Sequence, residues 1–148
     1  MKIALKYGAI IAAGIAIWVV ADHFLLHITG PGSKAGFLTP LFFNLLQLVM
    51  VFLGIRAKRS EQNGVLPLQQ GLATGMSISL VYAVLSCTFF LVLYLIVGSK
   101  LLENEPGGPG TSQPEKYVLL VAFAGMFFGA LVAGLIYSLA ISFVMRKK

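Results

Sequence analysis

The sequence has few charged residues and a single cysteine. Charged side chains make up 11% of its 148 residues, against about 25% in an ordinary soluble domain, while hydrophobic residues reach 58%. A chain of one-domain length cannot bury that much apolar surface in water, so we expect part of its surface to face lipid. The one cysteine, Cys87, excludes an intramolecular disulfide.

Motifs of catalysis and cofactor binding are also missing. The chain has no phosphate-binding Gly-Lys-Ser loop, no Cys-x-x-Cys and no haem motif. Hydrolysis and phosphoryl transfer need an acid, a base and a nucleophile within reach of one another, and no such set can be assembled. We therefore expect no enzyme activity and no cofactor. The net charge of +6 is concentrated at segment ends, which indicates membrane orientation rather than binding of nucleic acid.

Four long apolar runs dominate what remains. They lie at about 4–26, 37–55, 69–97 and 117–145. Because a transmembrane helix needs about 20 apolar residues, these runs predict an all-α integral membrane protein with four spans in a single domain. A signal peptide is the competing interpretation of the first run, but that run is longer than the ~7–15 residues of a signal core.

Basic residues predict how the spans are oriented. The charged hinge 56–64 and the two termini together carry eight Lys and Arg residues, whereas the other two loops carry three. The positive-inside rule therefore predicts that both termini and the hinge are cytoplasmic, and that the loop 100–116 lies outside. We expect Arg56, Lys58 and Arg59 to fix this topology and to contact anionic lipid headgroups.

Small residues recur at four-residue spacing, which allows another helix to approach closely. The main positions are Gly8 in the first span, Gly71, Gly75 and Ser79 in the third, and Gly125, Gly129 and Gly134 in the fourth. The fourth span has two rows, which we expect to lie side by side: Gly125, Gly129 and Ala133 in one, and Ala130, Gly134, Ser138 and Ser142 in the other. We predict that these ridges pack helices, and their number favours a partner outside the bundle.

Polar side chains in or beside the spans are the candidate functional residues. His23 and His27 share a helix face, which leaves three alternatives: an interfacial end cap together with Asp22, a proton-handling site, or a metal site that lacks a third ligand. We favour the end cap and predict no metal. Asn44 and Gln47 also share a face, which predicts hydrogen bonds between helices or, alternatively, the lining of a cavity.

The charged hinge and its flanks resemble a known family. The residues that carry the pattern are Phe52-Leu53-Gly54-Ile55-Arg56, Arg59, Gly64, Gln70-Gly71 and Gly75, together with the opening 2–8 and the closing 145–148. They are similar to domain-of-unknown-function family 4199, a group of small bacterial four-span membrane proteins. The resemblance implies four spans and a bacterial inner-membrane location, and it implies no activity. The loop 100–116 departs from the family pattern in being shorter and richer in Pro and Gly.

These observations lead to one main functional hypothesis and one alternative. The main hypothesis is a non-enzymatic structural or accessory subunit, surrounded by membrane lipids, that forms a homo-oligomer or joins a larger membrane complex. The alternative is an oligomeric small transporter or channel lined by Asn44, Gln47, Asp22 and His27. A membrane enzyme that uses Asp22, His23 and His27 is disfavoured because no complete catalytic set accompanies them.

Overall fold

Four long helices make up the computed structural model of the chain, which describes residues 1–22, 24, 37–98 and 115–145, with only the backbone of residue 115. They are α1 (Lys2–Ala21), α2 (Leu38–Glu61), α3 (Leu68–Val97) and α4 (Glu115–Met145). Each is long and apolar enough to cross a membrane. The described chain therefore has the architecture of a four-span membrane protein.

The outer surface of the bundle is apolar. Ile17 on α1, Leu95 on α3 and Val144 on α4 are each at least 70% exposed, and many other large apolar side chains accompany them. A surface of this kind is unfavourable in water, whereas it matches the hydrocarbon of a bilayer. The exposed surface thus supports the same conclusion as the length of the helices.

Two helices are central and two are peripheral. α2 and α3 pack against each other, and each also packs against both α1 and α4. Within the described residues α1 and α4 make no contact with one another. The peripheral helix α4 therefore has one face against α2 and α3 and another face directed away from the bundle.

Aromatic and small residues join α1 to α2. The indole Nε1 of Trp18 donates a hydrogen bond of 3.1 Å to Thr39 Oγ1, and the Trp18 ring stacks on Phe42 with centroids 4.4 Å apart. One turn earlier on α1, Gly14 lies against the side chain of Leu46, which occupies the space where a Cβ would stand. These contacts fix an antiparallel pairing of the two helices.

The basic hinge is largely helical. α2 does not end with its apolar run at Ile55 but continues through Glu61, because Arg, Lys and Glu are good helix formers and their hydrogen bonds persist outside lipid. The turn that follows is closed by Arg59, whose Nε donates to the carbonyl of Gly64 at 2.9 Å. Gly64 has φ +87°, a left-handed conformation that glycine adopts at little cost.

Candidate polar site between three helices

Gln47 is the main polar side chain in the interior of the bundle. It lies on α2 and is 3% exposed. Its amide Nε2 donates to Ser79 Oγ on α3 at 3.2 Å and to the carbonyl of Ala130 on α4 at 2.8 Å. A single side chain therefore uses both of its N–H donors to connect three helices.

The chemistry available at this position is limited because its groups are neutral. Amides and hydroxyls do not exchange protons readily near neutral pH, and the Gln47 donors already have protein partners. Ser79 and Ser138, the serines around it, are 0% exposed, and the Ser138 hydroxyl donates to the carbonyl of Gly134. The arrangement suits fixed helix packing.

Asn44 lies one helical turn from Gln47 but occupies a different environment. Its side chain is exposed on the outer surface of α2, where Nδ2 donates to the carbonyl of Pro40 at 2.8 Å. Its Oδ1 accepts a 3.0 Å hydrogen bond from the hydroxyl of Tyr137 on α4. Asn44 and Gln47 thus both contact α4, one at the surface and the other in the interior.

Small residues on α3 and α4 face each other in pairs. The pairs are Gly71 with Ser142, Gly75 with Ser138, and Ser79 with Gly134. At each glycine a Cβ would collide with the serine side chain opposite, so the two backbones are closer than larger residues permit. We call this set the α3–α4 seam. Gln47 joins it at its inner end, since a Cβ on Gly134 would lie 3.3 Å from Gln47 Nε2.

Gly8 has the same role between α1 and α3. A Cβ there would lie 2.7 Å from Val81 Cβ and 2.9 Å from the carbonyl oxygen of Ile78. A collision with backbone cannot be relieved by rotating a side chain, so this position requires glycine or a displacement of the whole helix. The first small-residue ridge of the sequence is therefore also used inside the bundle.

Gly125 and Gly129 have no such neighbour. No atom lies within 4 Å of the position that a Cβ would take at either residue, and both are exposed. Gly134 follows Gly129 by five positions, which is about 140° around an ideal helix. The glycines of the two rows therefore have different surroundings: Gly134 lies in the α3–α4 seam, whereas Gly125 and Gly129 are directed outward.

The polar cluster at the end of α1 is described only in part. Asp22 follows α1 directly and is 6% exposed, while His23 and His27 lie outside the described residues. Within the described part of the chain, no three His, Cys, Asp or Glu residues lie together in a way that suits a metal ion. The three interpretations of the histidines stay predictions.

The three basic residues of the hinge have different surroundings. Arg56 is exposed, Lys58 forms an ion pair of 3.1 Å with Glu61, and Arg59 closes the turn after α2. Only part of the positive charge of these three residues is therefore available to bind an anionic lipid headgroup.

Sequence reasoning missed the pairing of the two ridges across the seam. Both ridges are visible in the sequence, and both have four-residue spacing with serine or alanine interleaved. Two such ridges on consecutive antiparallel helices are the signal that favours a pairing of small residue against small residue. The contact between Tyr137 and Asn44 has no comparable signal, because a tyrosine within an apolar run gives no indication of its partner.

A family model matches most of the chain. The family described as Protein of unknown function (DUF4199) matches residues 6–105, which include most of α1 and all of α2 and α3. The fourth helix lies outside the matched range. No curated protein and no solved structure matches the chain.

Proposed function

The chain belongs to the DUF4199 family of proteins of unknown function, and we propose that it acts as a non-enzymatic structural or accessory subunit in the bacterial inner membrane. Its termini and the turn between α2 and α3 are cytoplasmic in this proposal, because most of the basic residues outside the spans lie there. The subunit forms a homo-oligomer, and its partner helix packs on the outward face of α4.

The observation that carries the proposal is the hydrogen bonding of the buried amide of Gln47. The amide of Gln47 is 3% exposed and bonded to two other helices. In lipid, polar side chains either line a functional pathway or join helices. The two interhelical bonds of Gln47 favour the second role. If the interior serves helix packing, the protein functions through the contacts that its outer surface makes.

The outward face of α4 supports association with a second copy. Gly125 and Gly129 are exposed there, and Val132 and Ile136 stand beside them at 56% and 59% exposure. Two glycines one turn apart let an identical helix cross at close range. A symmetric dimer uses the same patch on both copies, so this face of α4 can form both sides of the interface.

Disulfide cross-linking in membranes tests the arrangement. In a Cys87→Ser background, Val132→Cys places a thiol on the α4 face, and Val92→Cys places one on the exposed side of α3 as a control. We expect oxidation to produce dimers from the Val132→Cys protein and few from the Val92→Cys protein. Equal cross-linking at both positions contradicts the proposal, and a cross-link from position 132 to another protein identifies a larger complex instead.

An oligomeric transporter or channel is the second candidate. It is favoured by Asn44, an amide that is exposed on the outer surface although it lies in an apolar span. A ring of copies that faced this surface inward would line a path with such amides. Solute flux into proteoliposomes that falls when Asn44 is changed to Leu would support this candidate over the first.

A further inference from the structure

A groove of about 530 Å³ opens at the basic end of the bundle. It lies between the first turn of α1, the last turn of α2 and the first half of α3. The lining residues on α3 extend from Ala73 to Val81, a distance of about 12 Å along the helix axis. The groove is therefore long enough to reach from the charged end of the bundle into its apolar part.

The outer part of the groove carries both signs of charge. Lys2 on α1 and Lys58 on α2 line it together with Glu61. Two cations and one anion leave a net charge of +1 among these three side chains. Within the described residues Lys2 has no ion pair or hydrogen-bond partner for its ammonium group, and Glu61 occupies one of the three donors of Lys58.

Hydroxyl acceptors lie next to these charges on α3. Thr74 and Ser77 line the groove, and each donates its own hydroxyl proton to the backbone carbonyl four residues earlier, at 2.7 Å. Their oxygen lone pairs remain available as acceptors. Together with the Glu61 carboxylate, they suit a ligand that has hydroxyl donors beside its anionic group.

The inner part of the groove is apolar. Leu5 on α1, and Leu80 and Val81 on α3, form its walls, and Leu5 and Leu80 are 63% and 48% exposed. These walls belong to helices that are apolar enough to cross a membrane. A ligand of this groove therefore has a charged head and a hydrocarbon tail.

We propose that this groove binds one anionic phospholipid with a hydroxyl-bearing headgroup, of the phosphatidylglycerol class. The phosphodiester accepts hydrogen bonds from Lys2 and Lys58, the headgroup hydroxyls donate to Glu61, Thr74 or Ser77, and an acyl chain lies along Leu5, Leu80 and Val81. The negative charge of the phosphodiester suits a groove whose lining side chains include more cations than anions. Basic pockets between transmembrane helices bind lipid headgroups in this manner.

Native mass spectrometry of the full chain in detergent tests the site. Phosphatidylglycerol, phosphatidylethanolamine and phosphatidylcholine are added in turn, and bound lipid is counted. We expect phosphatidylglycerol to bind about tenfold more tightly than phosphatidylcholine, and the double variant Lys2→Gln/Lys58→Gln to lower its affinity by about tenfold, since each basic residue near a headgroup contributes modestly.

The matched control removes the same charge from the same end of the bundle. Lys6→Gln/Arg56→Gln changes two exposed cations that do not line the groove, and we expect less than about a twofold effect. A second variant, Ser77→Leu, fills the groove without changing its charge and should abolish retention of phosphatidylglycerol.

Three results would overturn the proposal. One is an equal loss of affinity in the groove and control variants, which would indicate general attraction to the basic end. The second is binding of phosphatidylethanolamine or phosphatidylcholine as tight as that of phosphatidylglycerol. The third is undiminished lipid retention in Ser77→Leu, a variant that tests the site even if the double variant fails to fold.

Discussion

At the scale of single residues, the interior of this bundle depends on where two neighbouring amides point. Gln47 is buried and joins α2 to α3 and α4. Asn44 lies at the surface and has one bond within its own helix and one to Tyr137. Gln47 has two bonds to other helices and Asn44 has one, so we expect the buried amide to contribute more to stability.

Replacing Gln47 with Leu tests that expectation. The change removes two interhelical hydrogen bonds, which average about 0.6 kcal/mol each in membrane proteins, so we expect the free energy of unfolding to fall by about 1 kcal/mol. Asn44→Leu is the control, with an expected loss of about 0.6 kcal/mol because it removes one interhelical hydrogen bond, the bond from Tyr137. Unfolding in mixed detergent micelles measures both. An Asn44→Leu protein that is the less stable of the two would refute the assignment.

At the scale of helices, the α3–α4 seam brings two helix backbones close together. Its three glycine–serine pairs lie in antiparallel register, so the shape of one helix complements that of the other. Close packing and dispersion contacts, rather than a hydrophobic driving force, hold helices together in lipid. The seam is therefore expected to set the stability of the second helical hairpin.

Exchanging the larger and the smaller side chain of one glycine–serine pair, Gly75 and Ser138, tests the seam. Gly75→Ala adds a methyl group that collides with Ser138, and overpacking of this kind costs about 1–3 kcal/mol. Adding Ser138→Gly removes the obstacle, so the double variant should regain most of the lost melting temperature. Ala13→Val is the control, because it enlarges a small side chain at an exposed position of α1 and should change stability little. Equal effects of Gly75→Ala and Ala13→Val would contradict the seam.

The sequence predicts helices better than it predicts their faces. The apolar runs indicate four long helices because the length and hydropathy of a segment decide whether it can span a bilayer, and both are local properties of the sequence. The helix α2 is longer than its apolar run, because hydropathy falls at Arg56 while backbone hydrogen bonding continues to Glu61. The sequence shows two rows of small residues on α4, but only the packing shows which of them contacts α3.

At the scale of the whole molecule, some of the small-residue ridges pack against other helices of the bundle, and one faces outward. The ridges around Gly8, Gly71 and Gly75 are occupied inside the bundle, so the number of ridges alone is a weaker argument for a partner than it appears in the sequence. The argument now depends on Gly125 and Gly129, which α4 directs away from the other helices. Variants at Gly71 or Gly75 would report on folding rather than on association.

The native mass of the protein, purified in mild detergent at its natural expression level, tests the central claim most directly. We expect an assembly larger than one chain, which Gly125→Leu/Gly129→Leu reduces to single, folded chains because the bulky side chains keep the α4 faces apart. Thr88→Leu, a change at an exposed position of α3, should leave the assembly intact. A single chain in the unaltered protein, or an assembly that survives the double glycine replacement, would contradict association through α4.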